Sequence, residues 1–157
     1  MGLNFIKTQN INTGITTNPN EFVSVSERIY FDQLHIAAER IRLECNDKPV
    51  VLLSGPSGSG KTTSALRIAK QLEKKGKKVH TISMDNYFLP NGVGEIPLDE
   101  NGRVDLESPL RMDIKLFAKH LKMLINNESV EMPIFNFETQ SINEYITVKR
   151  EPNEIII

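Results

Sequence analysis

The octapeptide GPSGSGKT at residues 55–62 carries the residue types that grip a polyphosphate. It matches the pattern G-x-x-x-x-G-K-[ST] in full. Its glycines let the backbone curl so that successive amide N–H groups point inward at phosphate oxygens. Lys61 adds a mobile positive charge for the terminal phosphates, and the Thr62 hydroxyl can reach Mg²⁺. The expected phosphate contacts are Gly55, Ser57, Gly58, Ser59, Gly60, Lys61, Thr62 and Thr63, with Thr62 the expected metal ligand. A glycine-rich turn without a ligand is the plain alternative. The motif by itself does not separate kinases from ATPases or GTPases.

A second stretch, SMDNYFLP at residues 83–90, holds an aspartate about twenty residues further on. Asp85 could take a proton from a substrate hydroxyl, hold Mg²⁺ through water, or close a turn. Ligands of open α/β sheets bind outside the carboxyl ends of the strands. Asp85 is expected at such an end, beside the strand that carries the phosphate loop. An acceptor hydroxyl placed there needs a base, which makes Asp85 the candidate proton acceptor, with Lys61 as its electrostatic partner at the phosphates. Tyr87 and Phe88 are expected to wall the acceptor site.

The elements around these motifs follow from hydrophobic periodicity. KPVVLLSG (48–55) reads as a buried strand, residues 60–78 as a helix, and KVHTISM (78–84) as a second buried strand. Such a strand–loop–helix–strand unit builds a parallel sheet. Upstream, Ser24 and Glu27 have capping-box spacing, and Ile29, Leu34, Ala37, Ala38 and Ile41 form a stripe, so 25–45 is expected to be a helix. Residues 1–23 read as a loosely ordered lead-in. Residues 88–110 are rich in turn formers and too long for a plain connector. A helix is expected over 112–127, with Ile114, Phe117, Leu121, Leu124 and Ile125 on one face and His120 in solvent. His35 is likewise expected at a helix surface. An extended segment at 129–141, a strand at 145–149 and the start of a buried strand at 154–157 complete the chain. The fold class is α/β, a phosphate-loop NTPase-type three-layer sandwich with a parallel sheet, cut short at its C-terminus. Residues 1–45 are expected to form the lead-in and its helix, and 46–157 the phosphate-loop domain.

Bulk composition narrows the function classes. With 157 residues, 39% hydrophobic and 25% charged, the chain can bury one ordinary core. A formal net charge of −1 gives no basis for nucleic-acid or anionic-membrane binding. No apolar run is long enough to cross a bilayer. The start lacks a signal-peptide pattern, and Ile6 breaks the myristoylation pattern. The lone Cys45 excludes an intrachain disulfide and reads as a structural thiol. A cytoplasmic location is the expectation.

Taken in order and spacing, GPSGSGKTT, SMDNYFLP, VDLESP and PIFNFETQS resemble the uridine kinase family of the phosphoribulokinase/uridine kinase group over about residues 50–157. The resemblance implies transfer of the γ-phosphate of ATP or GTP, with Mg²⁺, to the 5′-hydroxyl of uridine or cytidine. It implies Asp85 as the catalytic aspartate and Tyr87 or Phe88 as the aromatic lining the nucleoside site. It puts Glu107 on the ribose hydroxyls and Phe135, Phe137 and Gln140 on the pyrimidine. Three positions depart from the pattern. Gln140 stands for a histidine, Ile142 for an arginine, and Glu107 for the more usual aspartate. Without the family pattern, Phe135 and Phe137 suit edge-strand packing as well as a pocket.

Relatives continue past the acidic end of the last strand into a helix and an arginine-rich lid, so a piece of a longer kinase is expected. The partner is a small molecule, a nucleoside by preference, with self-association left open. Two rivals remain. One is a sibling kinase acting on pantothenate, glycerate or nicotinamide riboside. The other is a regulatory ATP- or GTP-binding module, against which the lack of an N-K-x-D sequence counts for GTP.

Overall fold

The computed structural model describes residues 7–94, 97–105 and 108–157. The helices are α1 (Thr8–Thr17), α2 (Pro19–Glu44), α3 (Lys61–Glu73) and α4 (Ile114–Ile125). The strands are β1 (Val79–His80), β2 (Ser129–Asn136), β3 (Ser141–Lys149) and β4 (Ile155–Ile156). β1 and β4 pair in parallel, and Val50 joins them through a parallel bridge to Ile156. β2 and β3 form an antiparallel hairpin whose register shifts between Ile134 and Phe135.

The parallel sheet separates two cores because β4 alternates. Ile155 and Ile157 pack with Leu34 and Ala38 of α2 and with Ile68, Ala69 and Leu72 of α3. Ile156 points the other way, to Leu124 of α4 and Val130 of β2. Successive strand residues face opposite sides, so one three-residue run serves two layers of helices. This is the expected three-layer α/β arrangement.

The strand before the phosphate loop differs from its expectation. Only Val50 bridges to β4, with the Val51 N–H donating to Ile156 O at 2.8 Å. Leu52, expected in a buried strand, is 75% exposed. The second strand is also shorter than 78–84, although Ile82 N–H still donates to Ile157 O. β4 lies between Val50 and β1, so Asp85 follows a strand one removed from the loop strand, not one beside it.

Within the lead-in, Thr8–Thr17 form a helix rather than a loose segment. Its local signals are absent: α1 has no side-chain cap, no acidic first turn and no buried residue. The helix cap that periodicity assigned to Ser24 belongs instead to Asn18, whose side chain accepts from Glu21 N–H at 3.3 Å, with Pro19 at the first position. α2 therefore begins six residues before the expected start at residue 25.

Two buried polar groups lock the end of the hairpin to β4. Arg150 donates to Glu154 O at 2.8 Å, to Ile125 O at 3.2 Å and to Asn127 Oδ1 at 2.9 Å. The Glu154 carboxylate accepts from His80 Nε2 and from Glu151 N–H, both at 2.8 Å, with Lys78 Nζ at 3.4 Å. Burial opposes its ionisation, but these donors outweigh it and hold the Glu154 carboxyl below the usual range. Cys45 is buried and donates to Arg42 O, a structural role.

Candidate active site

Two regions hold the chemistry, the phosphate loop at the start of α3 and an aromatic cavity beyond β1. Gly58 and Gly60 adopt φ of +71° and +82°, a region that side-chain-bearing residues rarely enter. Those two reversals bring the loop back to α3. Gly55 is packed so closely that a β-carbon there would lie 2.9 Å from Ser59 Oγ. Lys61 Nζ reaches back across the loop to donate to Pro56 O at 2.8 Å. α3 starts from Gly60 with no side-chain cap, so its first amides have no side-chain partner.

The donor set fits a nucleotide polyphosphate. The uncapped amides of Lys61, Thr62 and Thr63 stand at the positive end of α3, and Lys61 supplies a full charge beside them. Ser57, Ser59, Thr62 and Thr63 are solvent-exposed. Among the described residues, no cluster of three or more His, Cys, Asp or Glu side chains could hold a metal. The exposed Thr62 hydroxyl at the start of α3 could hold Mg²⁺ together with phosphate oxygens and water, the usual manner of that ion.

Asp85 lies in a short 3₁₀ turn, Met84–Tyr87, that follows β1. Ser83 starts the turn by accepting from Asp85 N–H at 3.2 Å. The Asp85 side chain is exposed, and among the described residues it has no hydrogen bond or ion pair. A carboxylate left free at the end of a strand is available to an incoming hydroxyl.

The turn sends its two aromatics in opposite directions. Phe88 enters a cavity of about 530 Å³ lined also by Phe135, Phe137, Gln140 and Arg111. The three phenylalanine rings form a triangle with centroids 5.0 to 5.7 Å apart. Four expected acceptor-site residues therefore meet at one place. Phe135 is buried while Phe137 is 56% exposed, so the former serves the core and the cavity together. The register shift beside Phe135 sits where the hairpin turns toward the cavity. Asn86 anchors this junction, its Oδ1 accepting from Phe135 N–H at 3.4 Å.

Gln140 holds the hairpin turn in an unusual conformation, φ +50°. Its carbonyl accepts from Asn91 N–H at 3.1 Å, and its side-chain nitrogen donates to Phe137 O at 2.8 Å. These bonds tie the turn to the loop after Phe88. One amide donor is used, and the side-chain oxygen makes no bond among the described residues.

Tyr87 is a correction to the expected site. It is 2% exposed and belongs to the core, with its ring edge-on to Phe117 at 5.0 Å. Its hydroxyl meets His120 Nδ1 at 3.1 Å. His120 is a second correction, because it is 7% exposed and not solvated. Positions 117, 120 and 124 share one face of α4, and that line, not Ile114 or Ile125, faces inward. Burial pushes the Tyr87 hydroxyl up to about 12. Burial, aided by Lys119, holds the His120 imidazole below its ordinary value against the opposing pull of Asp113.

The sign follows for stability. A histidine with a lowered folded-state pKa contributes stability above its ordinary value, and this is lost as pH falls below it. Urea midpoints are expected to drop as pH falls below about 6.5, and His120→Gln is expected to flatten that drop. A pH profile identical for both proteins would remove His120 from the acid response.

Glu107 lies outside the described residues. Arg111 is the lining residue that motif reading missed. It sits between the turn-rich stretch 88–110 and the helix expected from 112, and it carries no motif signal. Its guanidinium stands 5.8 Å from the centre of the Phe88 ring. Only the pairing of residues 87–89 with 111–113 brings it there, through Leu89 N–H to Arg111 O and Asp113 N–H to Tyr87 O, both 2.8 Å.

A three-layer α/β unit with a phosphate loop at the start of a helix has the architecture of phosphate-loop NTPase folds. A "possible uridine kinase" from Bacillus stearothermophilus has this fold, with TM-score 0.57 and 20% identity over 81% of this chain and 68% of that one. The YGR205w protein is similar too, with TM-score 0.54, 21% identity, and 78% and 51% covered. The chain belongs to the phosphoribulokinase / uridine kinase family, whose model matches residues 50–157. A uridine kinase of Limosilactobacillus reuteri (strain DSM 20016) is 35% identical over 116 residues, covering 73% of this chain and 51% of that protein. One from Bacillus pumilus (strain SAFR-032) is 34% identical over 111 residues, covering 70% and 50%. The chain thus spans about half the length of the curated relatives it matches. No helix among the described residues is long and apolar enough to cross a membrane.

Proposed function

We propose that this protein transfers the γ-phosphate of ATP to a hydroxyl of a small molecule, the 5′-hydroxyl of a pyrimidine nucleoside such as uridine or cytidine. The observation that carries this reading is the meeting of Phe88, Phe135, Phe137 and Gln140 around one cavity, on the same chain as a complete phosphate loop. Aromatic faces suit a planar base, and an amide can pair with its polar edge.

In this reading the amides of the loop and the Lys61 ammonium bind and orient the triphosphate. Mg²⁺, when bound, neutralises phosphate charge and polarises the γ-phosphoryl group. Thr62 helps hold it. Asp85 accepts the proton of the acceptor hydroxyl as that oxygen attacks, and Lys61 offsets charge on the transferring group. Glu107 is assigned to the ribose hydroxyls by the same reading. The location is proposed to be cytoplasmic.

The deciding experiment measures Mg²⁺-dependent transfer of labelled γ-phosphate to uridine, cytidine, purine nucleosides, pantothenate, glycerate and nicotinamide riboside. Preferred transfer to a pyrimidine nucleoside is expected. Transfer to a ringless acid alone would assign a sibling kinase. Steady hydrolysis with no acceptor labelled would point to a regulatory nucleotide-binding module.

A further inference from the structure

The cavity holds a charge that a neutral base does not require. The Arg111 guanidinium is a cationic planar fork that presents five N–H donors. Among the described residues no carboxylate lies within ion-pair distance of it, and none lines the cavity. Its recorded side-chain contact is with the Phe88 ring. Stacking satisfies one face of a guanidinium and leaves the in-plane donors unused. The other polar lining groups, Asn91 and Gln140, are neutral.

The backbone of Arg111 is fixed from both sides. Its N–H donates to Ser108 O at 3.1 Å and its carbonyl accepts from Leu89 N–H at 2.8 Å. The side chain is half-buried, so its charge is partly desolvated. A pre-positioned, partly dried fork against an aromatic wall matches a planar ring that bears a carboxylate. The ring would lie among the phenylalanines and the carboxylate would take two parallel N–H bonds.

We propose that Arg111 is a specificity-determining residue and that it directs the cavity to an acceptor whose ring carries a carboxylate. This rests on the reading of the cavity as the acceptor site and names a narrower acceptor class for it.

The test compares shape-matched ligands that differ in charge. Dissociation constants are measured by calorimetry in the full chain with 5- and 6-carboxyuridine and with the corresponding carboxamides. In the wild type the better carboxylate is expected to bind about tenfold or more tightly than its carboxamide, the size of one charge-assisted pair. Arg111→Met, which keeps much of the apolar stem, is expected to bring that ratio to about one. Arg111→Lys keeps the charge without the fork and is expected to fall between. MgATP affinity and thermal midpoint report whether each variant is folded, and both are expected to match the wild type. A ratio near one in the wild type overturns the inference, as does a ratio that Arg111→Met leaves unchanged. Failure of all four ligands to bind also overturns it. Labelled transfer to other acceptors reads the kinase assignment separately, so the two can fail independently.

Discussion

Lys61→Met is expected to lower phosphoryl transfer by about a hundred- to a thousandfold, the scale for removing one preorganised charge from a transition state. The side chain already spans the phosphate loop, from the start of α3 to the Pro56 carbonyl. Methionine keeps most of that length but carries no charge. The fold is expected to survive, because the loop is exposed and the Lys61–Pro56 bond is a surface contact. The measurement is single-turnover transfer of labelled phosphate at saturating MgATP, with thermal midpoints alongside. A loss below fivefold with an unchanged midpoint would mean that Lys61 is not the phosphate-binding cation.

The second large effect is expected at Asp85. Asp85→Asn is expected to reduce kcat by about a hundred- to ten-thousandfold, the contribution of a positioned general base. MgATP affinity should hardly change, because Asp85 is not part of the loop. Asparagine keeps the size of the side chain and can still close the turn that Ser83 starts, so folding is not at stake. That distinguishes a proton acceptor from a turn former, for which asparagine is an equal substitute. Asp85→Glu retains a carboxylate with one more methylene of reach and is expected to recover part of the activity. Wild-type kcat in the folded Asn variant would leave Asp85 as a turn residue.

These two residues were legible from pattern alone because their positions are set locally. The phosphate loop depends on backbone φ values that glycine permits and on amides adjacent in sequence, so eight letters describe it. Asp85 depends on its place at the end of a strand. The neighbouring strand was less legible. Val50 and Val51 pair with β4 as their sequence suggests, but Leu52 and Leu53 are exposed, because β-pairing needs a partner that the strand itself does not encode. α1 escaped notice for the opposite reason. Its residues carry no apolar stripe, and its end is set by the Asn18 cap of the following helix.

The acceptor region divides along the same line. Phe88, Phe135, Phe137 and Gln140 could be named in advance, since the resemblance to the uridine kinase family assigns them to the acceptor site. Their meeting in one cavity, and the departure of Tyr87 from it, could not. Tyr87 and Phe88 are adjacent, and only the position of α4 decides which ring faces Phe117 and His120. The sequence by itself determined the glycine-rich loop that fits a polyphosphate, the layered α/β class and the candidate base, each a matter of local backbone geometry or periodicity. Tertiary structure alone decided which aromatics form the cavity, that His120 is buried, and that Arg111 stands over Phe88. Those outcomes depend on contacts between segments about twenty to fifty residues apart, such as residue 88 with 111 and residue 86 with 135, and no spacing along the chain encodes them.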